Sequence, residues 1–420
     1  MKRSMLYVLS LVLAFSLVFI SCASAVTLKL LDYGNIATPE GKAAEEVIEA
    51  FLAANPDIEL QVERLYDEAY HQKLAALAAA GELPDVMYLW PGGARSGPLM
   101  EAGLIADLCP LLCADLDKWL PTVTAPQMDG KLYELPISAG TATHVMMANT
   151  KILEGLGLSI PQSYAELKAM VPTITAAGMD PIIQSGDAWV MQSVLFGTLV
   201  ARIAGDNWLV DAAAGRVAFT DKAFIDSLNL LKEIYDTGLL PVSSIQLGYG
   251  DVPVLFTEGR GVFFIDGSWR VGAVAELLTD EQEEDIELMV FPDIAGQRGS
   301  SSSTSLVTST GLGIKAGLSA EKAAAAIKLV KFYAGPEAAK IRMRAGFALP
   351  PSCKDVDLSD VELAVLTKKL FAFFADHPVT PVFDAVITGD PMNRVNIGLQ
   401  EFALGDITAE QLAAEIEAAR

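Results

Sequence analysis

Cysteine and histidine are scarce in this chain, which has 4 Cys and 3 His among 420 residues. No His lies near another His or near a Cys in the sequence, so the spacing of familiar zinc and iron sites is missing. We therefore predict neither a metal nor a cofactor. The spacing of Cys109 and Cys113 is compatible with a disulfide in an oxidising compartment. That pairing would leave Cys353 without a disulfide partner.

Basic residues are also few. The 30 Lys and Arg residues are outnumbered by 53 Asp and Glu residues, which gives a formal net charge of −23 at pH 7. Such an acidic surface opposes nucleic acid and anionic lipid, although ordinary solubility explains the negative sign better. A composition that is 52% hydrophobic and 20% charged excludes wholesale disorder, and the length favours two domains.

Long apolar runs are absent except near the amino terminus. Lys2 and Arg3 precede an uncharged run from 4 to 21 that is short for a membrane span and is followed by small residues. This pattern is typical of a secretory signal over residues 1–25, so we predict an exported protein.

Two ways of processing this signal remain open. Phe19-Ile20-Ser21-Cys22 resembles a relaxed bacterial lipobox, in which Cys22 is lipidated, whereas Ala23-Ser24-Ala25 offers ordinary cleavage. We favour the lipoprotein, anchored in the periplasm or cell envelope. Cleavage before Cys22 removes two positive charges and takes the net charge from −23 to −25.

The first part of the mature chain has the pattern of a β-α-β unit. A short strand from Thr27 to Leu31 is followed by a helix that Thr38 and Pro39 begin, and then by an alternating strand around Leu60. A buried strand follows and ends at Trp90. Right-handed crossovers make these strands parallel, which places Asn35 and Trp90 on a common edge.

The stretch from Gly259 to Trp269 has the pattern of a strand, a tight turn and the start of a helix. Its apolar run from Val262 to Ile265 is typical of a strand buried on both faces, and Ser268 is suited to cap the next helix. We expect Asp266 and Trp269 to lie beside the carboxyl end of the strand, where open α/β sheets bind ligands. A carboxylate beside a flat indole suits a sugar, while the alternative is a turn Asp and a core Trp.

Five stretches together resemble one protein family. They are Ala-Ala-Gly-Glu-Leu-Pro-Asp-Val at 79–86, Asp-Gly-Lys-Leu-Tyr-Glu-Leu-Pro at 129–136, Asn-Thr-Lys-Ile-Leu-Glu-Gly-Leu-Gly-Leu at 149–158, Phe-Thr-Glu-Gly-Arg-Gly-Val-Phe-Phe-Ile-Asp-Gly-Ser-Trp at 256–269 and Tyr-Ala-Gly-Pro-Glu-Ala-Ala-Lys at 333–340. Each motif is weak by itself, but their order and spacing span nearly the whole mature chain. The chain resembles the extracellular solute-binding proteins of bacterial ABC importers, in the sugar-binding family 1 group.

The resemblance implies a two-lobed α/β fold of the periplasmic-binding-protein type (type II), with a ligand cleft between lobes joined by crossing hinge segments. Lobe 1 is expected to take residues 26–138 and 290–312, and lobe 2 residues 139–289 and 313–420. Hinge closure would trap a carbohydrate, and the closed form would dock on the transmembrane subunits of a permease. We expect a monomer.

The resemblance also implies which residues bind the ligand. Trp90, Trp189 and Trp269 match positions of sugar-stacking aromatic residues, and Asn35 and Asp266 are candidate partners for sugar hydroxyls. The alternatives are core packing for the tryptophans and turn capping for Asn35 and Asp266. Gly93 and Gly140 replace the acidic ligands of the maltose-binding branch, which argues against a maltodextrin.

Other functions remain to be weighed. An exported carbohydrate-active enzyme would need two facing carboxyls, such as Asp266 with Glu68 or Asp187, but nothing in their spacing selects such a pair. The chain also lacks the common hydrolase, metalloprotease and nucleotide-binding motifs. The same fold could instead bind a polyamine, peptide or iron chelate, or could serve a surface sensor or adhesin. His144, inside an apolar strand, is expected to be a satisfied interior residue.

Overall fold

The computed structural model describes residues 25–420, except residues 67, 91–94, 113, 308–309 and 348. The segment before residue 25, with Cys22, lies outside the described residues, as do Gly93 and Cys113. The processing of the signal and the pairing of Cys109 with Cys113 therefore stay predictions.

The strands of the described residues are numbered in chain order. They are β1 (Val26–Tyr33), β2 (Ile58–Leu65), β3 (Val86–Leu89), β4 (Glu134–Pro136), β5 (Thr141–Ala142), β6 (Val145–Asn149), β7 (Asp180–Ile183), β8 (Gly261–Asp266), β9 (Ile286–Met289), β10 (Thr304–Val307), β11 (Gly311–Ile314) and β12 (Val379–Thr380).

Lobe 1 is built on a sheet with the strand order β2-β1-β3-β11-β4. β1 is parallel to β2 and β3, as the crossover argument predicted, whereas β11 runs antiparallel to β3 and β4. The helices of this lobe are Pro39–Ala54, Glu68–Ala80, Gly97–Glu101, Cys109–Leu112, Ala320–Tyr333 and Pro336–Arg344, with a 3₁₀ turn at Leu116–Lys118.

The first helix of lobe 1 forms for the reasons that its sequence indicated. Thr38 accepts a hydrogen bond from the Gly41 backbone N–H, and Pro39 occupies the first turn, where a missing N–H costs nothing. The apolar side chains along one face of this helix are buried, with Val47 and Phe51 fully inaccessible. This helix leads away from the edge of the sheet at which β1 ends.

Lobe 2 is built on a sheet with the order β7-β8-β6-β9. β8 is buried on both faces, as predicted: Phe263 and Ile265 belong to one hydrophobic cluster and Phe264 to another. The α-helices are Thr150–Gly155, Tyr164–Ala169, Val171–Ala176, Ala188–Val190, Gly197–Ala204, Trp208–Ala213, Lys222–Asp236, Val252–Thr257, Val271–Ala275, Asp280–Glu284, Val365–Asp376, Phe383–Val386, Gly389–Leu404 and Ala409–Ala418. A π-helical segment, Met191–Phe196, and 3₁₀ turns at Val242–Gln246 and Ser268–Arg270 complete the lobe.

His144 lies in the interior of lobe 2, as predicted. Its ring is fully buried, with Nδ1 2.9 Å from the Val194 carbonyl oxygen, while Nε2 accepts a hydrogen bond from the Phe291 backbone N–H. Burial lowers the pKa of His144 to about 3, so the ring is neutral and both its nitrogens have partners.

The chain crosses between the lobes at a small sheet with the order β12-β10-β5. Around it, backbone hydrogen bonds join separate crossing segments: the Ile137 N–H donates to the Thr310 oxygen, and the Ala139 N–H donates to the Pro350 oxygen. Several short connections held together in this way form a hinge about which two compact lobes can rotate.

The boundaries of the lobes differ from those expected. Residues 313–347 and 349–353, expected in lobe 2, pack into the core of lobe 1, because β11 pairs with β3 and β4 and helix Ala320–Tyr333 covers that sheet. Phe291 and Ile294, expected in lobe 1, pack into the core of lobe 2. After β11 the chain thus stays in lobe 1 for two helices before it returns to lobe 2 at Val365–Asp376.

Candidate functional site

A cavity of about 150 Å³ lies between the two lobes, where the carboxyl ends of β1, β3, β7 and β8 face one another. A cavity of this size accommodates one six-membered ring. The residues around it are Tyr33, Glu40, Tyr66, His71, Tyr88, Trp90, Arg95, Thr141, Thr143, Trp189, Ser193, Tyr249, Trp269, Val307, Thr310, Phe347, Leu349, Val382 and Asp384.

The three tryptophans singled out in the sequence all line this cavity. Trp90 comes from lobe 1, directly after β3, whereas Trp189 and Trp269 come from lobe 2, after β7 and β8. The Trp189 and Trp269 rings lie 6.1 Å apart and are tilted by 39°. The edge-of-sheet argument pointed to Trp90 and Trp269, and the family resemblance to Trp189; all three line one cavity, while their binding of a ligand stays a prediction.

Trp269 also connects the two lobes. Its indole N–H donates a hydrogen bond to the Tyr249 hydroxyl of its own lobe, and its ring packs against the hydrophobic core of lobe 1. Ser268 was expected to cap the helix that follows. The structure instead places Ser268 inside the 3₁₀ turn Ser268–Arg270, with Gly267 at the cap position.

Trp119 and Trp208 serve a different purpose. Trp119 is buried in lobe 1 and donates its indole N–H to the Ala334 carbonyl oxygen at 2.8 Å. Trp208 stacks on Phe224 in lobe 2, with ring centroids 5.1 Å apart. Both are core residues, so three of the five tryptophans surround the cavity.

Asn35 and Asp266 do not line the cavity, among the residues that the structure describes. Asn35 is exposed, and its side-chain oxygen accepts from the Ala37 backbone N–H, so it forms a turn. Asp266 is fully buried and accepts from the Gly267 N–H, 3.8 Å from the Arg270 guanidinium. The turn-capping interpretation thus fits both residues, while a role at the ligand stays a prediction.

Several cavity residues were missed in the sequence. Tyr33 ends β1 and Tyr88 lies within β3, so the reasoning that found Trp90 applied to both. Tyr33 stands edge-on to Trp90, with ring centroids 4.7 Å apart. Tyr249 and Asp384 carried no such signal, because they lie in a loop and a short helix that only the tertiary structure brings to the cavity.

Burial controls the charges at the cavity. It raises the pKa of Glu40 to about 8, and nearby Asp32 adds to the effect, while Arg270 and Arg342 oppose it. It lowers the pKa of His71 to about 3, so this imidazole is neutral at physiological pH. The cavity wall therefore offers a protonated carboxyl and a neutral imidazole, both able to hydrogen-bond to hydroxyl groups.

Two further properties limit what the described residues can do. No cluster of three or more His, Cys, Asp or Glu side chains among them is arranged to hold a metal ion. No helix in the described part of the chain combines the length and hydrophobicity needed to span a bilayer.

Two α/β lobes with an aromatic cavity between them define a two-lobed binding protein. Comparison with known proteins specifies the class further, since the model of one family, the bacterial extracellular solute-binding proteins, matches residues 46–368. The chain belongs to this family.

Curated relatives match part of the chain. It is 24% identical over 253 residues to the maltotriose-binding protein of Pyrococcus abyssi, a match that covers 59% of this chain and 51% of that protein. It is 21% identical over 264 residues to the lipoprotein LipO of Bacillus subtilis, covering 57% and 49%. The chain thus spans about half the length of these relatives.

Solved structures match the whole fold. A chitin oligosaccharide binding protein has a TM-score of 0.83 at 25% identity, covering 94% of this chain and 98% of that one. A structure from work on xylan utilization by a thermophilic Caldanaerobius polysaccharolyticus also gives 0.83, at 22% identity, with 94% and 99% covered. These matches confirm the two-lobed periplasmic-binding-protein fold.

Proposed function

We propose that this chain is the exported receptor of an ABC importer, and that it binds a mono- or oligosaccharide between its lobes and delivers it to a membrane permease. The observation that carries this proposal is the set of three tryptophans, Trp90 from lobe 1 and Trp189 and Trp269 from lobe 2, around one cavity. Flat indole faces pack against the apolar faces of sugar rings, and the Glu40 carboxyl and the His71 imidazole suit their hydroxyls.

The relatives support a carbohydrate but not one particular sugar. Two of them are named for maltotriose and chitin oligosaccharide, and a third comes from work on xylan utilization; these sugars differ in linkage and substituents. The expectation against a maltodextrin, drawn from Gly93 and Gly140, stays a prediction.

Partners and location follow from the same proposal. A receptor of this class would pass its ligand to two transmembrane subunits and would work outside the cytoplasmic membrane as a monomer. A lipid at Cys22 would keep it near the permease, and one relative is itself a lipoprotein. Mass spectrometry of the mature protein would distinguish lipidation at Cys22 from cleavage after Ala25.

An enzymatic function has less support. Hydrolysis of a glycoside needs two carboxyl groups on either side of one bond. Neither Asp266 nor its suggested partners Glu68 and Asp187 lie among the described residues around the cavity. The relatives reported above include a maltotriose-binding and a chitin oligosaccharide binding protein, so we propose binding without turnover.

One observation favours a second candidate, a cationic ligand such as a polyamine. Glu40 and Asp384 bring two carboxyls among the cavity aromatics, which also form a suitable surface for a cation. Against a cation, Glu40 is protonated below its pKa of about 8, and Arg95 places a positive charge at the same cavity. The carbohydrate is therefore the first choice.

Tryptophan fluorescence of the chain from residue 26 tests the proposal. The protein would be titrated with xylose, glucose and N-acetylglucosamine, with their disaccharides and trisaccharides, and with spermidine. A saturable change for one sugar series, abolished or greatly weakened in Trp269→Ala, is the expected result. Trp208→Phe is the matched control, because it removes an indole from the core of lobe 2 rather than from the cavity.

The other outcomes are equally informative. Saturation by spermidine alone would establish the second candidate. If no compound changed the fluorescence of the folded protein, or if Trp269→Ala bound as tightly as wild type, a sugar site at this cavity would be refuted. Release of monosaccharide from a trisaccharide by the pure protein would establish an enzyme instead.

A further inference from the structure

A second cavity, of about 510 Å³, adjoins the first one. Five residues line both cavities, and Trp90 of lobe 1 and Trp189 of lobe 2 are among them. The two indoles therefore stand where one cavity passes into the other. A ligand stacked on Trp269 in the first cavity could continue between these indoles into the second.

The wall of the second cavity in lobe 2 includes part of an uncommon element. Met191–Phe196 is π-helical, and the Gly197 N–H donates to the Gln192 carbonyl oxygen five residues back. Gly197 suits this geometry, since a Cβ there would stand 3.1 Å from that oxygen. Such segments often mark functional sites, and this one brings Gln192 to the second cavity and Ser193 to the first.

The second cavity is lined by polar atoms without partners. Gln192 is fully buried, yet neither Nε2 nor Oε1 of its amide has a hydrogen-bond partner among the described residues. The same holds for the Asn396 side-chain oxygen and the Trp189 indole N–H, and both of these residues line the cavity. Buried amides without partners are unfavourable and rare in native proteins, so these atoms indicate a polar ligand.

We propose that the second cavity is a second sugar subsite, and that the ligand is an oligosaccharide of at least two linked rings. This inference depends on the proposed carbohydrate function. The first ring lies against Trp269, and the next ring lies beyond Trp90 and Trp189. There the Gln192 amide, which both donates and accepts, binds a pair of neighbouring hydroxyl groups, and Asn396 accepts from a third.

The test compares chain lengths within one sugar series. Xylose, xylobiose and xylotriose, the corresponding glucose series, and N-acetylglucosamine, chitobiose and chitotriose would be titrated by calorimetry against wild type, Gln192→Leu and Asn396→Ala. In the series that binds, the disaccharide is expected to bind roughly tenfold or more tightly than the monosaccharide. Each variant should lower the ratio of disaccharide affinity to monosaccharide affinity by roughly tenfold, which is the effect of losing one or two hydrogen bonds.

Thermal melting separates a ligand-binding amide from a structural one. Because the Gln192 amide has no hydrogen-bond partner among the described residues, Gln192→Leu should melt at or above the wild-type temperature. Gln411→Leu, which removes a capping-box residue that lines neither cavity, is the matched Gln-to-Leu control and should lower the melting temperature without changing the affinity ratio.

The results that overturn the inference differ from those that overturn the proposed function. If no sugar of any length binds wild type, the carbohydrate function fails and the subsite fails with it. If a monosaccharide binds as tightly as its disaccharide, or if both variants leave the ratio unchanged, the subsite alone is refuted. A lower melting temperature for Gln192→Leu with an unchanged ratio would assign Gln192 a structural role.

Discussion

Gly272 of lobe 2 lies directly against the carbonyl oxygen of Gly346 in lobe 1. A Cβ built at Gly272 would stand 1.9 Å from that oxygen, far inside van der Waals contact. Gly346 is itself held in a left-handed turn, with φ of 80°, after helix Pro336–Arg344. The two lobes approach this closely because no side chain separates them.

Gly272→Ala should therefore disfavour this arrangement of the lobes. Overpacking of this kind costs about 1–3 kcal/mol, so ligand affinity should fall roughly tenfold or more while each lobe stays folded. Calorimetric titration with the sugar that wild type binds measures the loss, and small-angle X-ray scattering should show a larger radius of gyration with ligand. Gly155→Ala, where a Cβ meets no atom, is the control. An affinity at or above wild type would contradict this role for the contact.

An ion pair lies beside that contact. Lys42 Nζ of lobe 1 is 2.6 Å from Glu276 Oε1 of lobe 2, and both side chains are partly exposed. Exposed pairs contribute about 0.2–1 kcal/mol, so Lys42→Met should weaken ligand binding less than about fivefold. The difference in ligand affinity between Lys42→Met and wild type should shrink as the salt concentration is raised from about 0.05 M to about 0.5 M. A larger effect that is independent of salt would mean that Lys42 acts on the ligand by another route.

Glu40 should make stability depend on pH. Its carboxyl has a pKa of about 8 in the folded chain against 4.5 in the unfolded one, so the folded state keeps the proton up to a higher pH. Its contribution to stability is complete below the unfolded pKa and is lost as pH rises through the folded pKa. Glu40→Gln, which stays neutral, should therefore gain stability relative to wild type between about pH 5 and about pH 9.

Urea unfolding of wild type and Glu40→Gln across this range measures the effect. Glu154→Gln, on the surface of lobe 2, controls for the loss of one carboxyl group. If the free energies of unfolding of Glu40→Gln and wild type differed by the same amount at every pH, Glu40 would be ionised in the folded chain.

His71 should not act as a pH switch. With its pKa lowered to about 3, the imidazole stays neutral through the range in which an ordinary His titrates. Ligand affinity of wild type and of His71→Gln should therefore follow parallel curves between about pH 5 and about pH 7. A fall in wild-type affinity near pH 6 that His71→Gln lacks would show that His71 becomes charged in the cavity.

Patterns local to the chain were read correctly from the sequence. Thr38 with Pro39 started a helix, β1 and β3 proved parallel, β8 was buried on both faces, and His144 was a satisfied interior residue. The helix start and the parallel strands depend on neighbouring residues or on the crossover rule, and the buried strand and the interior His144 were indicated by the apolar character of their segments. The edge-of-sheet argument pointed to Trp90 and Trp269, and the family resemblance to Trp189, and these three residues line the cavity.

Contacts between distant segments were not read from the sequence. The return of β11 and helix Ala320–Tyr333 to lobe 1 depends on an antiparallel pairing with β3, which no local pattern announced. Asp266 was placed at the ligand because it ends β8, but the structure buries it, and its side chain accepts a hydrogen bond from the Gly267 backbone N–H. Glu40 was overlooked because its unusual pKa arises from burial against residues of both lobes.

The sequence by itself predicted an export signal, which no described residue tests, and it determined the α/β class, the resemblance to solute-binding proteins and the aromatic character of the candidate site, because composition, periodicity and motif order can be read along the chain. Only the tertiary structure decided where the lobes divide, which polar groups reach the cavity and that a second cavity with an unsatisfied Gln192 adjoins the first. Those features arise where segments far apart in the chain exclude water from one another, and neither burial nor the supply of hydrogen-bond partners is fixed before they meet.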